Sequence, residues 1–404
     1  MSVFRALKHR KFLLLWLGQT VSRVGDFVYE IALAWWVLEK TGSAQTMSLV
    51  LIFSIAPSIL FSMIGGVVVD RLPRIKVMYT SDVLRGAVAL TVAALALSNR
   101  MEVWHVFFAS LLFGIFDAFF QPAYAAILPE LVPEADLPSA NALTGISANL
   151  GRVVGPALGA AIVTFIGTGW AFAVNGLSFV VVAIFLLPLL LTHFTDPKSQ
   201  SNEPPWQAFR EGWRAVTSRP WLWISTILFA LTNITLAGPY SITMPFLVKE
   251  TMHANVDVLG LLYTTFPLGF VIGGLWVGRY QKIPHRGPLL YLTLTLAAGM
   301  LALFGLGLPL PILMIAALVN GIALEAGNLA WYSLLQEKVP AGQLGRVFSI
   351  DEMGSLALIP IGFALVGWGT QTFGAQMMFL LGGGLTALIA LSILALSPAI
   401  RQLE

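Results

Sequence analysis

Gly65-Gly66-Val67-Val68-Val69-Asp70-Arg71-Leu72-Pro73-Arg74-Ile75-Lys76 closes an apolar run that begins near Thr46, and closes it in a knot of charge. A second copy starts 208 residues later as Gly273-Gly274-Leu275-Trp276-Val277-Gly278-Arg279, with Lys282 and Arg286 beyond it. In both, paired glycines let a helix approach a neighbour closely near its end, and the basic turn that follows is a segment that stays in the cytosol. The copies differ at one informative place, where Asp70 becomes Gly278. Leu128-Pro129-Glu130-Leu131-Val132-Pro133 also repeats as Leu335-Gln336-Glu337-Lys338-Val339-Pro340, and Asp117 aligns with Glu325. The chain reads as two halves in parallel orientation.

Composition places those halves in a membrane. Hydrophobic residues make up 57% of the 404, charged residues only 11%, and mean hydropathy is +0.82, whereas soluble domains carry roughly 25% charge. The net charge of +3 comes from basic residues in short turns between apolar runs, which does not make the basic face of a nucleic-acid binder. With no cysteine and five scattered histidines, the sequence offers no disulfide, no thiolate and no metal-ligand spacing, so no metal or cofactor is expected.

A span takes about 20 apolar residues, and twelve segments qualify: 12–38, 46–69, 77–98, 103–125, 140–166, 169–191, 221–247, 257–277, 288–308, 311–334, 345–368 and 374–396. The first is too long for a signal-peptide core and lacks a cleavage site, so it reads as a retained span. With both termini inside, 17 of the 23 Lys and Arg fall in cytosolic segments, against Lys40, Arg100 and Lys249 outside and Arg23, Arg85 and Arg152 within spans. That asymmetry fits an even span count with cytosolic termini.

The polar interval 192–220 separates a first bundle, 1–191, from a second, 221–404. Its later part sets Trp206, Phe209 and Trp213 at helical spacing with Arg210, Glu211 and Arg214 elsewhere. This pattern predicts a helix lying in the headgroup region; an ordinary solvated helix is the alternative.

These residues resemble the major facilitator superfamily, whose transporters join two parallel six-span halves. Gly65-Gly66 through Arg74 is similar to its loop 2–3 signature, in which Asp70, Arg71 and Arg74 would latch the halves on the cytosolic side, with Arg85 nearby. Gly151-Arg152-Val153-Val154-Gly155-Pro156-Ala157-Leu158-Gly159 resembles the glycine-proline motif of drug:proton antiporters, ending in Gly159-Ala160 where a glycine pair is usual. Gly25-Asp26 and the Asp117-Ala118-Phe119-Phe120-Gln121-Pro122 to Pro133 segment look like the branch of macrolide exporters, mycobacterial multidrug pumps and enterobactin exporters. The resemblance implies an all-α, twelve-span protein in the cytoplasmic membrane of a prokaryote, working as a monomer. It further implies proton-driven export of hydrophobic or amphipathic small molecules by alternating access, with an endogenous metabolite or siderophore as the alternative cargo. It also places Tyr29, Phe119, Phe120, Trp331 and Tyr332 toward the transport cavity, where some would stack on an apolar substrate while most serve as packing.

Gln19, Arg23, Asp26 and Glu30 share one stripe of the first span. A charge at mid-membrane costs on the order of 2.5–3.5 kcal/mol, so the stripe is expected to line a cavity. There Asp26 would accept a proton or bind a cation, unless Arg23 and Asp26 merely neutralise each other; Glu30 lies near the outer rim. Arg152 reaches a similar depth and either pairs with Asp26 or holds carbonyls freed by Pro156. The glycines around it read as close packing with a bend used in gating, or as packing alone. Asp117 and Glu325 are further proton-carrier candidates, Asp117 otherwise anchoring Arg85 or the loop arginines. Asp351 and Glu352 are assigned to a helix N-terminus, where negative charge is favoured. Trp35, Trp36, Trp104, Trp221 and Trp223 read as interface anchors. No Walker-type loop is present, and no nucleophile with its base or metal ligands clusters at a membrane face, as an enzyme would need.

Overall fold

The computed structural model describes residues 3–192, 205–280 and 285–403, which are helical with short turns and contain no strand. Lys282 and the first part of the linker lie outside the described residues. The helices are α1 (Arg10–Thr41), α2 (Ala44–Val69), α3 (Arg74–Leu97), α4 (Val103–Leu131), α5 (Leu137–Ile166), α6 (Thr168–Leu190) and α7 (Pro205–Thr217). They continue as α8 (Pro220–Thr251), α9 (Val256–Val277) and α10 (Arg286–Leu306), then α11 (Leu310–Lys338), α12 (Ala341–Leu356), α13 (Ile359–Phe373) and α14 (Ala375–Leu396). Among the described residues eleven segments are long and apolar enough to cross a membrane, α12 and α13 counting together. The twelfth is α1, a 32-residue helix whose polar stripe dilutes its hydropathy.

Turn chemistry sets the helix ends. At Gly42 the backbone turns left-handed (φ 57°) and its amide bonds back to Leu38, a conformation open to glycine without a Cβ penalty. Three spans are not regular α-helices throughout: α10 ends in a 3-10 turn over Leu303–Leu306, and two others depart further. Past Thr232, α8 widens into π-helical stretches over Asn233–Ala237, Pro239–Thr243 and Leu247–Thr251, in the region where Pro239 and Pro245 withhold amide donors. The expected single span 345–368 instead starts at Ala341 and is interrupted between Leu356 and Ile359, just ahead of Pro360.

Contacts divide the chain into two units. One comprises Met1–Gly42, Leu49–Gln200 and Val256–Thr264; the other comprises Ser43–Ser48, Ser201–Asn255 and Thr265–Glu404. In the first, α1 packs along α5 and α6, and α3 along α4 and α6. In the second, α10 packs along α11 and α14.

In each glycine pair the first residue makes the close approach that the sequence leads one to expect. A Cβ on Gly65 would lie 2.1 Å from the carbonyl oxygen of Ala118, and one on Gly273 2.8 Å from that of Ile322. Thus α2 lies backbone-to-backbone against α4, and α9 against α11, in the same way.

Candidate functional site

The first unit buries a charged network. Asp82 and Arg85 stand three residues apart on the inner face of α3, and Asp82 is fully buried. Arg85 donates to Asp82 Oδ1 at 2.6 Å, and Gln19 Nε2 donates to Oδ2 at 2.8 Å. The other arm of Arg85 lies 3.8 Å from Asp117 Oδ1. Its guanidinium stacks over Phe120 at 4.3 Å and Phe179 at 5.1 Å, contacts that favour a cation held away from water. Phe179 reaches this position because Gly86 has no Cβ, which would lie 2.8 Å from the Phe179 Cβ. Asp117 also accepts from Gln121 at 2.9 Å and from Ser58 at 3.5 Å. Half-buried Asp26 lies within electrostatic range of Arg85, Asp82, Asp117 and Arg23.

Neither expected partner pairs directly with Asp26. Arg23 instead places its guanidinium over the Tyr124 ring at 5.2 Å, so the self-neutralising Arg23–Asp26 pair is not made. Exposed Arg152 acts electrostatically on exposed Glu30. Tyr29 is buried against Phe113 and Phe172, so it is a packing residue, and Phe119 packs on the unit's apolar core. Among the latch candidates, Arg74 pairs with Glu130 and donates to the Ala126 carbonyl at 3.1 Å, tying α3 to α4 within one unit. Asp70 and Arg71 are exposed, and Arg85 belongs to the buried network. The glycine-proline stripe lies on α1: Cβ atoms on Gly151, Gly155 and Gly159 would approach Arg23, Phe27 and Val28 to 3.2, 2.4 and 3.0 Å. Pro156 is buried in an α5 that continues past it.

The second unit contains a cavity of about 480 Å³ between α8, α9, α10, α11 and α12. Seven aromatic rings line it, among them Phe229, Tyr240, Phe266 and Trp331, together with Asn233, Asn320 and Asn328. Among the described residues, Asp351 and Glu352 are the carboxylates that face it, and no Lys, Arg or His does. The widened α8 contributes Asn233, Leu236, Ala237 and Tyr240. Asp351 is buried, 6% exposed. Its Oδ2 accepts the Trp331 indole N–H at 2.9 Å, and its Oδ1 accepts the Thr226 hydroxyl at 2.5 Å. Edge-on contacts from Phe229 and Trp221, at 5.0 and 5.6 Å, hold the indole in place. Trp221, read from the sequence as an interface anchor, thus also backs the Trp331 indole. Glu325 sits outside this lining, half-buried beside Gly273 and Gly274.

Two positions escape the sequence reading. Asp351 is assigned there to a helix N-terminus, but α12 begins at Ala341, which moves Asp351 several turns inside. The sign available was Pro340, which marks where the preceding helix must stop. Asp82 stands out only as an acid three residues before a base in an apolar span, a spacing that joins side chains on one helix face.

Over residues 1–404 the chain matches the family model described as transmembrane secretion effector. The chain belongs to that family, within the major facilitator superfamily. Macrolide efflux protein A of Streptococcus pyogenes is 26% identical over 398 residues, covering 98% of this chain and 97% of the relative. The enterobactin exporter EntS of Escherichia coli is 30% identical over 310 residues, 76% of this chain and 72% of its own. A solved POT family transporter aligns with a TM-score of 0.77 at 15% identity over 97% of both chains. A bacterial homologue of the iron transporter ferroportin gives 0.73 at 15%, over 97% of this chain and 99% of its own. Those two likenesses establish the fold. This member of the transmembrane secretion effector family is thus a multi-pass membrane transporter.

Proposed function

We propose that this chain exports hydrophobic or amphipathic compounds across the cytoplasmic membrane by alternating access, in exchange for protons. Two relatives that cover most of its length are named as an efflux protein and an exporter. Secondary drive is supported by the lack of a nucleotide-binding loop in the sequence, and cytosolic termini by the 17 basic residues on one side.

The cavity of the second unit carries the cargo reading. Rings present a negative face, Asp351 and Glu352 add anionic oxygens, and no basic side chain among the described residues competes. Such a lining suits an amphiphile bearing a positive charge. The proton site is assigned to Asp26, whose neighbours Asp82, Asp117, Arg85 and Arg23 make its charge state matter to the whole cluster.

Equilibrium binding of tetraphenylphosphonium to the purified protein tests the cargo site. Asp351→Asn is expected to weaken binding at least tenfold, since bonds to charged groups contribute about 1.5–3 kcal/mol. Equal binding by parent and variant removes Asp351 from the site.

The 30% identity to an enterobactin exporter favours a second reading, export of a siderophore. An acidic cargo would need cationic partners, and Arg23 and Arg152 in the first unit are the candidates. Binding of enterobactin in the same assay, lost in Arg23→Gln and retained in Asp351→Asn, would select it.

A further inference from the structure

Helix α7 forms the later part of the interval between the two bundles, and two residues separate it from α8. One face is buried through Gly212, Ala215 and Val216. A Cβ on Gly212 would lie 3.0 Å from both the Arg346 carbonyl oxygen and the Ile350 side chain, so this face sits directly on α12. Glu211 forms an ion pair with Arg346, which ties α7 to the helix that carries Asp351.

The other face is different in kind. Trp213 is 53% exposed and stacks on Phe209 with ring centres 6.2 Å apart. Arg210 and Arg214 flank it, both exposed and neither in an ion pair among the described residues. Their spacing places both on one side of the helix. The start of α8, with Trp223 41% exposed, fixes the end of α7 at the boundary of a membrane span.

We propose that this face of α7 binds anionic phospholipid of the cytosolic leaflet, and that the Glu211–Arg346 pair passes its occupancy to α12. Arg210 and Arg214 would hold the phosphate, for which a guanidinium fork is well matched. Trp213 and Phe209 would lie at the level of the glycerol, where amphipathic rings are favoured. Charge complementarity selects the occupant: two unpaired guanidiniums beside an exposed indole, on a helix continuous with a span, face the negatively charged leaflet. A free phosphate ion would leave the indole in water, and an acidic soluble protein would have to reach the bilayer surface to touch it.

Native mass spectrometry of the purified full-length protein, titrated with phosphatidylglycerol or phosphatidylcholine, tests the site. The parent should hold the first phosphatidylglycerol preferentially. Arg210→Gln/Arg214→Gln should lose about 30-fold in apparent affinity for it, equivalent to roughly 1 kcal/mol per basic side chain at an anionic surface, with its melting temperature unchanged. Hydrogen exchange in nanodiscs tests the relay: phosphatidylglycerol should slow exchange in 205–217 and in 341–356, and Glu211→Gln should keep the first effect and lose the second. Equal affinity of parent and double variant overturns the site. Slowing confined to 205–217 in the parent overturns the relay. These readouts need no cargo, so they are independent of the export reading.

Discussion

Trp331 on α11 donates its indole N–H to Asp351 on α12 at 2.9 Å, joining two spans through a buried carboxylate in the wall of the second unit's cavity. The Thr226 hydroxyl on α8 completes the set from the other side. Trp331→Phe keeps the ring contacts and deletes one donor to the carboxylate. The expected cost is about 1.5–3 kcal/mol, seen as a lower thermal-unfolding midpoint in detergent, with Thr226→Val smaller or equal. An unchanged midpoint in both would mean that solvent, not these donors, satisfies Asp351.

In the first unit the two acids beside Arg85 are unequal. Asp82 is fully buried at 2.6 Å from Arg85, while the Asp117 side chain is 34% exposed at 3.8 Å. Removing one partner of a buried pair costs on the order of 3–5 kcal/mol, because the other charge stays buried. Asp82→Asn should therefore destabilise the protein far more than Asp117→Asn in the same thermal assay. The reverse order would contradict the assignment of Asp82 as the principal counter-ion.

Gly65 and Gly66 are adjacent but have different surroundings. A methyl group at Gly65 would meet the Ala118 carbonyl at 2.1 Å, whereas Gly66 has nothing within 4 Å. Overpacking of this kind costs about 1–3 kcal/mol. Gly65→Ala should reduce folded yield, read by fluorescence-detected size exclusion, and Gly66→Ala should leave it unchanged.

Between α4 and α5, Asp136 gathers the N-terminal segment, accepting from His9 at 2.9 Å and pairing with Arg5 at 3.2 Å. Ser139 adds bonds to the Ala6 amide and the Val3 carbonyl. The His9 hydrogen bond, followed by the nearby charges of Arg5 and Lys8, holds the Asp136 carboxyl below its ordinary value. A lowered folded-state pKa stabilises the docked segment at neutral pH, and the contribution fades as pH falls below about 3.9. Hydrogen exchange in residues 3–9, corrected for intrinsic rates, should be faster in Asp136→Asn than in the parent at pH 7, and the difference should shrink as pH falls through the lowered folded-state value. Identical exchange in parent and variant at pH 7 would refute the clasp.

Much of this fold is legible in the sequence because apolar length, charge asymmetry and a 208-residue repeat are one-dimensional signals. The close approach at Gly65 is of that kind, although the sequence does not show that Gly65, and not Gly66, makes it. Partners across helices are less legible. The spacing of Arg23 and Asp26 suggests a pair on α1, yet Arg23 turns to Tyr124 of α4, a choice set by which helix lies opposite. Depth alone suggests Asp26 for Arg152, but the Gly151–Gly155–Gly159 stripe faces α1 and leaves Arg152 acting on Glu30. Asp351 is hidden by a four-residue error in where its helix starts.

Proton-driven movement of tetraphenylphosphonium in proteoliposomes tests the central claim most directly, comparing the parent with Asp26→Asn under an imposed pH gradient. The parent should accumulate the cation on the acidic side, and Asp26→Asn should bind it but no longer respond to the gradient. A parent that moves the cation at the same rate with and without the gradient would contradict it.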